Sequence, residues 1–193
     1  MPVQHGAGRN LRRSVTTSRT PSDPSRIAVD EFMDAGTGVF HEEAFRHLLT
    51  RETGRTTRYR DVFSLCLLKP DLSDNRGVGD DALRRAVSGK VGQLLRTTDL
   101  VGHLAQGIAV ILLHTIGRDA IQVAERIRSN IEQVAFRESP EGPPRRVTLS
   151  VGGVSFPLEG HTETLLLSRA RANLHEAVLQ GGNQVVYGAG KPD

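Results

Sequence analysis

Asp99 to Leu113 reads D-L-V-G-H-L-A-Q-G-I-A-V-I-L-L. Two apolar runs flank Ala105-Gln106-Gly107. So short a break between two strand-like runs predicts an antiparallel β-hairpin, with Gly107 expected to supply the backbone freedom of the turn.

The rest of the chain shows what surrounds this hairpin. Val62 to Leu68 is short and nearly all apolar, as expected of a central strand covered on both faces, and Pro70 is expected to end it. Further strands are expected at Val147–Val154 and Val185–Tyr187. Helices are expected at His41–Gly54 (Phe45, Leu48 and Leu49 on one face), Asp80–Leu95, Asp119–Val134 and Glu163–Leu179. The second carries Ala82, Leu83, Ala86, Val87, Val91, Leu94 and Leu95 at buried spacing. Ala120, Val123, Ala124, Ile127, Ile131 and Val134 do the same for the third, and Leu166, Leu167, Ala170, Leu174 and Ala177 for the fourth. Ile27–Met33 reads as a helical lead-in. Asp34–Gly38, Leu72–Gly79 and Glu138–Pro144 read as loops. The alternation predicts an α/β domain: a single mixed β-sheet flanked by helices on both faces.

Composition narrows the class. Aromatics are 4% against 37% hydrophobic residues, so the core must be aliphatic. The one cysteine, Cys66, lies inside the apolar run and reads as a small buried hydrophobe. A chain without a disulfide framework suits a reducing cytoplasm. The longest purely apolar run, Ile108–Leu113, is far too short to span a bilayer, and no apolar segment follows Arg12-Arg13 to make a signal. Five arginines face one aspartate in residues 1–26, a charge of +4 against +3 for the whole chain, so the remainder sums to −1. The basicity belongs to a tail read as disordered, and nucleic acid is not an expected partner. The domain is expected over residues 27–188, with a short tail at 189–193.

Several motifs then occur in a specific order. They are Asp34-Ala35-Gly36-Thr37-Gly38-Val39, the strand Phe63–Leu68, Gly79-Asp80, Ala124-Glu125-Arg126-Ile127-Arg128, and Val147-Thr148-Leu149-Ser150-Val151-Gly152 followed by Phe156-Pro157. Together with the hairpin they resemble the GGDEF (diguanylate cyclase) domain from about Asp34 to Tyr187. The resemblance implies a nucleotide-cyclase-like palm fold. In that family two GTP molecules, one on each subunit of a dimer, are joined into cyclic di-GMP, and divalent cations neutralise the phosphates.

The residues that would perform this chemistry are missing. Ala105, Gln106, Gly107, Ile108 and Ala109 stand where the family has Gly-Gly-Asp/Glu-Glu-Phe. Lys69 occupies the position of a metal-binding aspartate, and Pro70 that of the next metal contact. Val178 and Gly182 match the phosphate-holding Lys and Arg. Mg²⁺ requires oxygen donors, and a lysine ammonium repels it. Asp71 and Asp74 are the only acids near enough to compensate. Asp80, which matches a guanine-reading residue, remains as a residual guanine contact. The expectation is no cyclase activity, no catalytic residue, and no metal or other cofactor.

A second family site is retained. Arg96-Thr97-Thr98-Asp99 stands in register with the R-x-x-D product-inhibition motif, and Arg126 matches its third contact. A planar guanidinium bonds guanine O6 and N7 together, Asp99 suits the guanine N1 and N2 donors, and further guanidinium groups suit the phosphates. Arg58-Tyr59-Arg60-Asp61 has the same spacing without the register. Taken without the resemblance, Arg96 and Asp99 read first as a surface pair capping the preceding helix. His103 and His114 lack partners at metal-ligand spacing. The expected function is that of a cyclic di-GMP receptor through Arg96, Asp99 and Arg126, with a protein partner or a second copy of the chain. The alternative is a nucleotide-free scaffold that pairs with proteins, an active cyclase among them.

Overall fold

The computed structural model describes residues 32–71, 80–104, 107–137 and 141–188, with the side chain of Asp80 outside that set. The tail 1–26, most of the lead-in, the loop Leu72–Gly79 with Asp74, the tip residues Ala105 and Gln106, and the segment 189–193 lie outside the described residues.

The elements in order are β1 (Met33–Asp34), β2 (Val39–Phe40), α1 (Glu42–Tyr59), β3 (Phe63–Asp71), α2 (Asp80–Gln93), β4 (Leu100–Leu104), β5 (Gly107–Leu113), α3 (Gly117–Gln133), β6 (Ala135–Phe136), β7 (Arg145–Arg146), β8 (Thr148–Phe156), α4 (Glu163–Leu179) and β9 (Val185–Tyr187). Among the described residues the main sheet runs β1-β2-β4-β5-β3-β8-β9, and β6 and β7 form a separate ribbon. The β2–β4 and β8–β9 pairs are parallel, and the other pairs of the main sheet are antiparallel, so the sheet is mixed as expected.

β3 is the axis of the molecule. It pairs with β5 from Phe63↔Leu113 to Leu68↔Ile108 and with β8 from Phe63↔Phe156 to Asp71↔Thr148. Strand alternation splits its side chains between two half-cores. Cys66 and Leu68 pack with Leu83, Val87 and Val91 of α2 and with Ala120, Ala124, Ile127 and Ile131 of α3. Phe63, Leu65 and Leu67 pack with Phe45 and Leu49 of α1 and with Leu166, Leu167 and Ala170 of α4. Cys66 is 2% exposed, and burial pushes its thiol up to about 12, the behaviour of an inert hydrophobe.

Several expectations need correction. β3 does not stop before Pro70 but runs through it to Asp71. Among the described residues pairing with β5 ends at Leu68 and pairing with β8 continues to Asp71, so Pro70 has a described strand on one side only, where a missing N–H is tolerated. Met33 belongs to a strand rather than a helical lead-in. β1 and β2 form a small hairpin whose turn is held by Asp34 Oδ1, which accepts from the N–H groups of Gly36 (2.9 Å) and Thr37 (3.1 Å). α1 continues past Gly54 to Tyr59, because Arg55 bridges Glu52 and Asp61 and so ties a polar last turn to the fold. In α2, Ala82 and Ala86 are exposed, and the buried stripe is Leu83, Val87, Ser88 and Val91. The Ser88 hydroxyl is satisfied by the Arg84 carbonyl at 2.8 Å. The β6–β7 ribbon flanks the loop at Glu138–Pro144 and is too short to show as periodicity.

Gly107 also plays a different part. It is the first residue of β5, paired with Leu104, and its φ is not left-handed. A Cβ there would stand 2.9 Å from the Leu68 carbonyl oxygen, so glycine is required by close approach rather than by the turn.

Candidate functional site

α2 ends at Gln93, and the chain turns through Arg96–Asp99 before entering β4. Asp99 Oδ2 accepts from the Arg96 N–H at 3.1 Å, and the Asp99 N–H donates to the Arg96 carbonyl at 3.0 Å. Asp99 therefore closes the turn that presents Arg96. Arg126 rises from α3, and one Nη donates to the Leu94 carbonyl at 3.1 Å. Arg96 and Arg126, both exposed, line one surface cavity of about 430 Å³ with His114, Thr115, Asp119 and Gln122. The fold thus brings two of the three expected contacts to one cavity. Asp99 is not among its walls and stands behind Arg96.

His114 is the member that sequence reasoning set aside. It follows β5 with φ of 51°, and its N–H donates to the Val62 carbonyl at 3.0 Å. Its Nδ1 lies 2.7 Å from Asp61 Oδ1, while Asp61 Oδ2 receives Arg55 Nη1 at 2.8 Å. Burial pushes the Asp61 carboxyl up, but the Val62 N–H, Arg55 and His114 outweigh it and hold it below the ordinary aspartate value. The β3–β5 register sets Leu113 opposite Phe63 and so brings residue 114 to the Asp61-Val62 corner, a meeting that nothing along the sequence announces.

A different situation holds at the end of β3. Lys69 is exposed and lines a cleft of about 270 Å³ with Arg171 of α4, against walls of Leu104, Ile108 and Leu174. Cations of the kind the resemblance implies would need carboxylates here. Among the described residues the positions there are Lys69, Pro70, Gly107 and the buried Ile108. Asp71 is committed elsewhere: it accepts from Thr148 Oγ1 (2.9 Å), Ser150 Oγ (2.6 Å) and the Asn183 N–H (2.9 Å). Gly182, at φ of 74°, packs against that same carboxylate, and Val178 is a half-buried residue of α4. The donor set does not fit a divalent metal, and no group of three or more His, Cys, Asp or Glu side chains converges among the described residues.

On the other face of the hairpin lies a third cavity, of about 320 Å³, lined by Asp34, His41, Asp81, Arg84, Arg85 and His103. Burial pushes the His103 imidazole down; His41 and Arg85 add to this, and Asp34 opposes it. Asp80 opens α2 beside this cavity, with its side chain outside the described residues.

Comparison with known proteins agrees with this architecture. The family model described as diguanylate cyclase, GGDEF domain, matches residues 31–184. The response regulator PleD of Caulobacter vibrioides is 29% identical over 160 residues, 79% of this chain and 35% of the relative. The chain thus spans about a third of that relative's length. The coiled coil and GGDEF domain of DgcB from Caulobacter crescentus, solved in complex with c-di-GMP, superposes with a TM-score of 0.72 at 20% identity, covering 84% of this chain and 88% of that one. Diguanylate cyclase SiaD of Pseudomonas aeruginosa, solved with its activator SiaC, gives 0.73 at 25% identity, covering 84% of this chain and 64% of that one. No helix among the described residues is long and apolar enough to cross a membrane. With a palm-type mixed sheet and a family match over most of its length, this chain belongs to the GGDEF domain family.

Proposed function

We propose that this chain is a catalytically inactive GGDEF domain that works in the cytoplasm as a receptor for cyclic di-GMP, with no metal or other cofactor. The observation that carries the reading is the meeting of Arg96 and Arg126 in one solvent-open cavity. Two exposed guanidinium groups there suit the forked acceptors of guanine and the phosphates of the ligand. Asp99 Oδ2 holds the Arg96 N–H and so fixes the turn that presents the Arg96 guanidinium to the ligand. The c-di-GMP complex of DgcB, a protein of the same fold, supports the choice of ligand. The inactivity rests on the donor set at the hairpin, where Lys69 and Gly107 replace carboxylates. Ligand occupancy would alter pairing with a protein partner or with a second copy of this chain.

Calorimetric titration with cyclic di-GMP and, separately, with GTP and Mg²⁺ tests this. Micromolar binding of cyclic di-GMP is expected, with no product formed from GTP. Arg96→Ala should weaken binding by about ten- to a hundredfold, the loss of one bidentate base contact. Absence of cyclic di-GMP binding, or turnover of GTP, overturns the reading.

One observation favours the scaffold alternative. The Asp99–Arg96 bond gives that pair a purely structural role as a turn closure. SiaD, solved with its activator SiaC, supports protein pairing as a use of such domains. Unchanged calorimetric traces with either nucleotide would select it.

A further inference from the structure

We infer that His114 is an additional contact for the anionic ligand, acting as an imidazolium beside Arg96 and Arg126, and that ligand affinity therefore falls as pH rises. The inference rests on the cyclic di-GMP reading and names a residue outside the R-x-x-D pattern.

The geometry carries it. His114 lines the cavity that holds Arg96 and Arg126, and its side chain is 66% exposed. Its Nδ1 is fixed at 2.7 Å from Asp61 Oδ1. Asp61 is itself anchored by Arg55 at 2.8 Å and by the Val62 N–H at 2.8 Å, so the ring is buttressed from behind. A carboxylate at Nδ1 keeps the proton on that nitrogen, and the second ring proton then resides on Nε2. Among the described residues Nε2 has no hydrogen-bond partner. Neutral, it offers a lone pair that a phosphate oxygen repels. Protonated, it offers a charge-assisted donor.

The other charged groups around the ring are carboxylates and guanidinium groups. Asp61 precedes β3, Arg55 and Glu52 come from α1, Arg96 from the turn after α2, and Asp119 and Arg126 from α3. Of these residue types histidine is the one whose charge changes near neutral pH. Its protonation changes the cavity from two cations against Asp119 to three.

The test is calorimetry with cyclic di-GMP at about pH 5.5 and about pH 8. Wild-type affinity should be about tenfold tighter at the lower pH, the difference between a charge-assisted and a lost hydrogen bond. Titrations near pH 6.5 in two buffers of different ionisation enthalpy should register proton uptake on binding. His114→Asn keeps a side chain that tolerates the left-handed backbone and can bond Asp61, but it carries no charge. It should bind with the weaker affinity at both pH values. Arg96→Ala should lose affinity at both while keeping the slope. Binding by wild type with neither slope nor proton uptake, or a slope that survives in His114→Asn, overturns the inference and leaves the receptor reading intact. No binding at either pH overturns both. Should His114→Asn fail to fold, the wild-type proton uptake alone decides.

Discussion

Replacing Gly152 by alanine tests how tightly the sheet and its covering helix are locked. Gly152 lies mid-strand in β8, between Leu67 of β3 and Val186 of β9. A Cβ there would stand 2.1 Å from the Leu174 nitrogen, 2.4 Å from the Ala170 carbonyl oxygen and 2.6 Å from the Leu174 Cα. All three atoms are backbone of α4, so no rotamer change relieves the clash. Ordinary contact begins at 3.4 Å, so the helix must retreat by more than 1 Å. Leu166, Leu167, Ala170 and Ala177 are buried on this helix and pack less closely once it moves. Overpacking costs about 1–3 kcal/mol. The voids opened beneath the displaced helix raise the total to about 3–5 kcal/mol. The smaller entropy of the unfolded alanine chain offsets only about 0.4–1 kcal/mol. Against a total stability of about 5–15 kcal/mol, the variant should be severely weakened. Urea unfolding followed by circular dichroism measures it. Gly54→Ala is the contrast: nothing lies within 4 Å of its Cβ, and this helical site should gain about 1 kcal/mol. A Gly152→Ala protein within about 1 kcal/mol of wild type would refute the packing argument.

Three further outcomes follow from particular side chains. Asp71→Ala removes an acceptor shared by Thr148, Ser150 and Asn183 and should cost about 3 kcal/mol in urea unfolding; a loss below about 1 kcal/mol would mean those bonds are not made in solution. Lys69→Asp combined with Gly107→Glu restores acids at the hairpin but puts a Cβ 2.9 Å from the Leu68 carbonyl oxygen, so GTP with Mg²⁺ should still give no cyclic di-GMP by chromatography, and a product peak would refute this. Asp61 is held below its ordinary value, so its stabilising contribution is complete above the unfolded value of about 4 and is lost as pH falls through the lower folded value. The stability gap between wild type and Asp61→Asn should therefore shrink as pH falls from about 5 to about 3, and a constant gap would count against the Arg55–Asp61–His114 cluster.

What could be read along the chain was whatever neighbours in sequence decide. α4 was expected at Glu163–Leu179 and is found there, because Leu166, Leu167, Ala170 and Ala177 recur on one buried face and Thr162 caps it, accepting from the Leu165 N–H at 3.2 Å. β9 and the central placement of β3 follow equally from short apolar runs bounded by polar residues. The end of α1 was hidden, since Arg-Glu-Thr-Gly-Arg-Thr-Thr-Arg carries no apolar period and is held by ion pairs instead. The presence of Arg96, Asp99 and Arg126 came from order and spacing of motifs. Their division into two cavity walls and one turn closure did not.

The sequence by itself determined the alternation of helices and strands, the aliphatic character of the core and a hairpin, Leu100–Leu113, without an acidic residue, because these depend on residue type and local period. Only the tertiary structure decided which polar groups meet. His114 finds Asp61 across 53 positions, and Asp71 finds Ser150 across 79. The Tyr187 hydroxyl closes a cluster with Ser64 at 2.6 Å and Ser155 at 2.8 Å. Such pairs are set by strand register, and register is fixed by the burial of whole strand faces rather than by the polar residues that it happens to bring together.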